Sequence, residues 1–429
     1  MRIAFYTLGC KTNQYETQAM EQLLEKAGYE IGSFEETNDA YVINTCSVTA
    51  IADKKNRAMI RRCRREHPGA LIGVCGCYTQ HDPETVRSLG VDVLGGSGGR
   101  QVFLEDLTAA LEGKAHTDHL DNALGRREFE ILPPGGLEER TRAMLKVQDG
   151  CVNFCTYCII PYARGPVRSL PMDKAAEQVR DLRAQGYREI VVTGIEISSY
   201  GHDLKDGTTL IDLLELIARE GGEMRIRLGS LEPRTVTREF CERAKKLPTL
   251  CPHFHLSMQS GCDATLKRMN RKYDTARYYE SVELLREYFD DPAITTDLIT
   301  GFPEETEEEF GETLAFIEKC GFAAMHIFPY SIRPGTKAAA MAQVDMSVRE
   351  ERAARAAAVA ERMHQGYLAR CVGKTFPVLF EQDRGEGSVG HAPNYMPVTV
   401  DVKGLHNTVQ NVRITAVDGD GLRGEPEET

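Results

Sequence analysis

The sequence predicts an α/β fold in three parts: an N-terminal doubly wound parallel sheet, a central partial (β/α)6 barrel and a small C-terminal β-barrel. Three observations carry this. Residues 1–105 alternate strand-like and helix-like runs in βαβαβ order, the pattern of a parallel sheet with helical crossovers. Residues 141–330 repeat the β–α alternation through six units. Residues 372–429 switch to short β-branched runs separated by Gly and Asn. At 429 residues the chain is long enough for about two to four domains.

Taken in order, strands are expected at Arg2–Leu8, Ala40–Asn44, Ala70–Val74 and Val91–Gly95, with helices at Asn13–Ala27, Asp53–Glu66 and Pro83–Leu89. Residues 106–140, with Gly113, the polar run Asp118–Arg127 and Pro133-Pro134-Gly135-Gly136, read as a linker. The central domain, 141–345, has expected strands at Met144–Val147, Glu189–Thr193, Arg225–Leu228, His253–Leu256, Ala293–Leu298 and Ala324–Phe328. Helices fall between them at Met172–Gln185, Leu210–Ala218, Arg234–Lys246, Thr275–Phe289 and Glu305–Cys320. The Ala- and Arg-rich stretch Ser347–Cys371 reads as one helix, so 346–371 connects to the last domain. In 372–429, strands are expected at Val378–Glu381, Pro397–Val402 and Val409–Ala416.

Composition narrows the setting. No apolar run reaches the ~18 residues of a membrane span, and Met1-Arg2-Ile3-Ala4-Phe5-Tyr6 enters a strand without a signal-peptide pattern. The 13 Cys, without a secretory signal, favour a reducing cytoplasm and metal ligation over disulfides. A net charge of −12 argues against coating nucleic acid with the whole surface. One run is locally basic: Lys54, Lys55, Arg57, Arg61, Arg62, Arg64 and Arg65, with no acid until Glu66. It reads as a solvated helix face or as a phosphate-facing patch.

Two sets of Cys carry chemistry. Cys151, Cys155 and Cys158 lie within eight residues, spaced by three and two. Soft thiolates at this spacing suit an iron–sulfur cluster or zinc. A cubane has four irons, so three local thiolates leave one iron free to bind a substrate or cofactor. The next Cys is Cys241, which argues against a ferredoxin run, and no second Cys pair nearby supports zinc. Zinc or buried free thiols is the alternative reading. Cys10, Cys46 and Cys77 follow the first, second and third strands. Parallel sheets bind ligands beyond the carboxyl ends of their strands, so topology gathers these thiols into a second three-Cys site. Cys75 rivals Cys77, but its place inside a strand marks it as a small buried hydrophobe.

CxxxCxxC with Tyr157 before the last Cys resembles the radical S-adenosylmethionine (SAM) superfamily. The context from Arg140-Thr141-Arg142 to Ile160-Pro161-Tyr162-Ala163-Arg164-Gly165-Pro166 is similar to its methylthiotransferase branch, as are Leu8-Gly9-Cys10-Lys11-Thr12-Asn13-Gln14-Tyr15-Glu16, Ile43-Asn44-Thr45-Cys46 and Gly76-Cys77-Tyr78-Thr79-Gln80. Gly390-His391-Ala392-Pro393-Asn394-Tyr395 and the strand after it resemble the TRAM module, an RNA-binding barrel. The resemblance covers nearly the whole chain.

It implies two 4Fe-4S clusters on the six Cys, two SAM per turnover, and a sulfide or persulfide on the N-terminal cluster. SAM contacts are implied at Tyr157, Gly194, Glu196, Ser230, Glu232, Ile299 and Gly301; relatives carry His or Asn where Glu196 stands. Asn13, Gln259 and Arg333 are implied in the substrate cavity. RNA contact is expected from Lys54, Lys55, Arg57, Arg61, Arg62 and Arg65, and from Tyr395, His391, Arg384, Lys403 and Arg413 on the last barrel. The Lys11-Thr12-Asn13 pattern resembles the class that acts on N6-threonylcarbamoyladenosine beside the anticodon of ANN-decoding tRNA. Isopentenyladenosine in tRNA and a ribosomal-protein aspartate are the alternative substrates; an iron–sulfur RNA-binding regulator is the non-enzyme alternative. An electron donor such as flavodoxin or ferredoxin and a sulfur donor are implied partners, with no membrane.

Overall fold

The computed structural model describes residues 1–135 and 141–427. Gly136 and Arg140 of the expected motifs lie outside the described residues.

The first domain is a five-stranded, all-parallel sheet in the order Glu30–Gly32, Arg2–Thr7, Ala40–Thr45, Leu71–Gly76, Val93–Leu94. Side chains alternate across it. Ile3, Val42 and Val93 pack under the helices Lys11–Lys26 and Arg100–Leu111, and Ala4, Ile43 and Val74 pack on the other face under Ala50–Glu66. That is a doubly wound sheet. The boundary expected at 105 falls inside the helix Arg100–Leu111, because Phe103, Leu104 and Leu107 form its buried stripe. The expected linker, as far as residue 135, packs along the same domain: His119 bridges to Gly95, and the Tyr15 hydroxyl donates to Leu132 O at 2.7 Å.

The central domain has parallel strands in sequence order: Arg142–Lys146, Glu189–Thr193, Arg225–Leu228, His253–Leu256, Ala293–Thr300 and Ala324–Pro329. The third strand divides at Gly229. Its first half pairs with Glu189–Thr193, and its continuation Ser230–Leu231 pairs with His253–Leu256. No pairing joins the first strand to the last among the described residues, so the barrel is open. Ala143, Leu145, Ile190, Val192, Ile226, Leu228, Phe254 and Leu256 pack outward beneath the helices. The alternate positions, among them Arg142, Lys146, Glu189, Arg227, His253 and His255, face the interior. This interior is polar, which suits a reaction chamber better than a packed core.

The last domain is a closed barrel in the order Thr375–Arg384, Gly387–His391, Pro397–Val400, Gly421–Pro426, Val409–Asp418. The helix Met346–Cys371 anchors it: Tyr367, Leu368 and Cys371 share one apolar core with Val378, Phe380 and Val398 of the barrel and with Ala293 and Ala323 of the central domain. Among the described residues, no helix is long and apolar enough to cross a membrane.

A buried charge network joins the first two domains. Glu16, on the first helix, accepts from Arg100 at 2.6 Å, from Lys146 at 2.8 Å and from both terminal nitrogens of Arg164. Lys146 also reaches Asp149 at 2.8 Å, and Arg168 stands 3.3 Å from Asp149. All six side chains are buried. Burial alone would raise the Glu16 pKa, but Arg100, Arg164 and Lys146 outweigh it and hold the carboxyl well below its ordinary range.

Removing Glu16 leaves buried cations unpaired, so Glu16→Ala is expected to cost about 3–5 kcal/mol, read as a lower urea midpoint by tyrosine fluorescence. The depressed pKa makes this contribution full above the unfolded carboxylate range and lost as pH falls through the folded value. Glu16→Gln is therefore expected to flatten the acid side of the stability profile. An unmoved midpoint would show that the network does not hold the domains.

Candidate active site

Cys10, Cys46 and Cys77 stand beyond the carboxyl ends of three neighbouring strands. Gly9, at φ +122°, lets two of these loops touch: a Cβ there would lie 2.7 Å from Cys46 Cβ. Asn13 ties the loops together, with Nδ2 donating to Leu8 O at 2.9 Å and Thr45 O at 3.0 Å. Its Oδ1 accepts from Arg164 at 2.8 Å. Asn13, expected in the substrate cavity, is thus spent on holding the Cys loops. Arg164 Nε also donates to Cys77 Sγ at 3.2 Å. Burial, then the neighbouring Cys77, pushes the Cys46 thiol up to about 12. Cys75 sits in the apolar cluster with Ile3 and Val42.

The second triad follows the first barrel strand. Gly150, at φ +78°, turns the chain into Cys151; a Cβ there would collide with Pro166 O and stand 2.6 Å from Gly165 O. Cys151 N donates to Gly165 O at 3.0 Å. Asn270 clamps the loop from outside, donating to Asn153 O at 3.2 Å and Phe154 O at 2.9 Å. Arg271 donates to Cys155 Sγ at 3.3 Å. Burial pushes Cys151 up to about 11 and Cys158 to about 12.

A cavity of about 150 Å³ opens beside this triad. Tyr157, Glu196, Ser230 and Glu232, expected at SAM, and Gln259, expected in the substrate cavity, line it with the three Cys. Gly194 gives close approach: a Cβ there would lie 2.8 Å from Gln148 O. Glu232 is also held by Arg234 at 2.9 Å. Two expected contacts move. Ile299 packs in an apolar cluster with Phe302 beside Tyr157, and Gly301, at φ +63°, is buried against Arg349 of the long helix.

Arg333 is also reassigned. It is expected in the substrate cavity, but it is buried, 2.5 Å from Asp53 Oδ2 and 2.7 Å from Ser47 Oγ. Both its acceptors belong to the first domain, so Arg333 latches the end of the barrel to the Cys46 loop.

The RNA set divides. Lys54, Lys55 and Arg61 are exposed and form no ion pair among the described residues. Arg62 and Arg65 are exposed but share Glu66, at 2.8 and 3.1 Å. Arg57 is half-buried and donates to the Tyr78 hydroxyl at 2.9 Å. Lys403 and Arg413 are exposed on the last barrel, near Glu386 and Glu425, and Arg384 is exposed as well. His391 and Tyr395 do not join them. Their rings stack at 4.9 Å and pack into the central domain, with Tyr395 4.5 Å from Arg227 and 5.0 Å from His253. The loop between strands Gly387–His391 and Pro397–Val400 docks there, which sequence proximity alone does not reveal.

The donor chemistry fits anionic clusters. The network between the triads holds four cations, Arg100, Lys146, Arg164 and Arg168, against the carboxylates Glu16 and Asp149. The uncompensated positive charge borders Cys77, and Arg271 borders Cys155. Thiolate-bound clusters would balance both. Among the described residues no three His, Cys, Asp or Glu side chains converge on a single-ion site; a cubane takes one thiolate per iron and needs them set wider. Sequence reasoning missed Arg164 and Arg271. Arg164 had a signal, lying six residues past Cys158 in the quoted motif; Arg271 had none.

The Radical SAM superfamily model matches residues 145–317, and Uncharacterized protein family UPF0004 matches residues 2–95. The threonylcarbamoyladenosine tRNA methylthiotransferase MtaB of Bacillus subtilis is 41% identical over 92% of this chain and 89% of its own. That of Thermotoga maritima is 38% identical over 87% and 85%. The tRNA-2-methylthio-N(6)-dimethylallyladenosine synthase of Pelotomaculum thermopropionicum is 33% identical over 89% and 87%. Among solved structures, the radical SAM methyltransferase TsrM of Kitasatospora setae, with cobalamin and a 4Fe-4S cluster bound, shares the fold at a TM-score of 0.58 and 15% identity, over 79% of this chain and 77% of its own. With this sheet, this open barrel and these two Cys triads, the chain belongs to the radical SAM methylthiotransferase family, with MtaB-type enzymes among its relatives.

Proposed function

We propose that the chain methylthiolates C2 of N6-threonylcarbamoyladenosine next to the tRNA anticodon, giving 2-methylthio-N6-threonylcarbamoyladenosine. The observation that supports this reading is that the two triads are tied to consecutive residues, Arg164 and Gly165. Arg164 donates to Cys77 Sγ, and the next residue, Gly165, accepts from Cys151 N. That supports two sites close to each other, as a reaction that breaks C–H and forms C–S at one carbon requires. The relatives named for threonylcarbamoyladenosine support the substrate. The relative named for dimethylallyladenosine is the second reading.

In this reading Cys151, Cys155 and Cys158 hold one 4Fe-4S cluster, and Cys10, Cys46 and Cys77 the other. When bound, the clusters and SAM supply what no side chain can: radical removal of a non-acidic aromatic hydrogen, and a sulfur that SAM methylates. The chain supplies position. Arg271 and Arg164 place a cation at one sulfur of each triad. Tyr157, Glu196, Ser230 and Glu232 form the walls for SAM. Lys54, Lys55 and Arg61 give the anticodon stem a phosphate-facing patch. An electron donor and a sulfur donor are required partners, and the cytoplasm, where tRNA resides, is the setting.

Nucleoside mass spectrometry of tRNA from a strain lacking the gene, with and without complementation, tests this. The thiomethylated nucleoside is expected to vanish with its precursor accumulating, and to return on complementation. An unchanged level, with loss of the dimethylallyl analogue instead, would favour the second reading. Substituting any of the six Cys by Ala is expected to abolish product. Gly150→Ala, which displaces the Cys151 loop, is expected to cut iron content to about half by losing one of two four-iron clusters; full iron would contradict the Cys151 assignment.

A further inference from the structure

Lys11 follows Cys10 directly and opens the 16-residue helix Lys11–Lys26, whose first turn has no acidic residue. A cation there opposes the helix dipole, so helix stability does not explain it. Lys11 forms no ion pair among the described residues; the contact of its ammonium is the Tyr395 ring, 6.0 Å to the centroid.

The space around it is built from all three domains. A cavity of about 350 Å³ is lined by Lys11 and Gln14 of the first domain, Arg142 and Met144 of the central barrel, and Glu381 and Tyr395 of the last. Arg142 and Arg227 stand 5.4 and 4.5 Å from the Tyr395 centroid. Charge is not balanced. Arg225 and Arg227 share Glu189, at 2.7 and 2.8 Å. Arg142 has Glu381 at 2.8 Å, and Glu381 is itself shared with His391 at 2.6 Å. Lys11 is left over. Beside Tyr395, the buried His253 has an Nδ1 with no hydrogen-bond partner among the described residues. The cavity is thus electropositive, reached by solvent, and adjacent to the first triad.

Resting on the proposed function, we propose that Lys11, aided by Arg142, binds the α-carboxylate of the threonine group carried by the target base. The chemistry selects this ligand. A threonylcarbamoyl group ends in a carboxylate, and a dimethylallyl group is neutral and apolar. An unpaired cation in this cavity favours the first and penalises the second, since the apolar group would desolvate the ammonium without pairing it. Lys11 is then the residue that sets substrate class. Its position next to Cys10 puts the recognised tail beside the sulfur-bearing site, with the base reaching into the chamber.

The test is equilibrium binding, by fluorescence anisotropy, of a labelled anticodon stem-loop carrying threonylcarbamoyladenosine. The comparison is the same RNA with the threonine carboxylate converted to its primary amide. The protein is the full chain with clusters reconstituted and iron content matched. Wild type is expected to prefer the acid by about tenfold, the scale of one charge-assisted contact. Lys11→Gln is expected to bind both RNAs equally, Lys11→Arg to keep the preference, and Arg142→Gln, nine residues from the nearest Cys, to reduce it. Equal binding of both RNAs by wild type, or an undiminished preference in Lys11→Gln, would overturn the proposal. So would an equal loss for both RNAs in that variant, which would assign Lys11 to a backbone phosphate. Product formation from the acid RNA is measured in parallel: its absence in wild type counts against the proposed function, whereas its presence with no acid preference counts against Lys11 alone.

Discussion

The structure depends on the pairing of Glu16 with Arg164. Burying a carboxylate costs several kcal/mol unless cations and hydrogen bonds replace water. Glu16 recovers this from three cations drawn from separate elements: Arg100 from the last helix of the first domain, Lys146 from the first barrel strand, and Arg164 from the helix after the second Cys triad. Such a knot forms in one relative placement of the domains. A more apolar interface could be as stable, but it would tolerate sliding. Here sliding would separate Cys77 from the Cys151 loop, so the charged interface provides registry as well as adhesion.

The same logic recurs at the other contacts. Arg333 fastens the end of the barrel to Ser47 and Asp53, beside the Cys46 loop. Tyr395 inserts the last domain among Arg227, Arg142 and Lys11. Each domain contributes to the walls of the cavity around Lys11, and none encloses it alone. Outside it, Lys54, Lys55 and Arg61 on the helix Ala50–Glu66 are exposed and form no ion pair among the described residues, as the proposed tRNA contact requires.

Much of this was legible in the sequence. The strands of both α/β domains announce themselves because buried parallel strands are continuous apolar runs. Both triads were legible as well, one from local spacing and one from the rule that loops at strand ends converge. What escaped has a common cause. The strands Gly387–His391 and Gly421–Pro426 are rich in Gly and gain their status only from distant partners in a closed barrel. Arg333 reads as a cavity residue because a Pro-Gly turn and a lone Arg carry no sign of Asp53, 280 residues away. Tyr395 looked like a stacking surface for RNA because its docking onto the barrel interior is a tertiary event. Charges and aromatics mark where something binds; sequence alone does not say whether the partner is a ligand or another domain.

The proposed function puts one cluster at Cys77 and the other at the Cys151 loop, on either side of Arg164 and Gly165. The direct measurement is electron paramagnetic resonance of the reconstituted full chain, anaerobically reduced, compared with variants lacking one triad or the other. Two clusters held this closely are expected to couple, so the spectrum of the intact protein should be broader than the sum of the two variant spectra. A spectrum equal to that sum, from protein with both clusters reduced, would contradict the account.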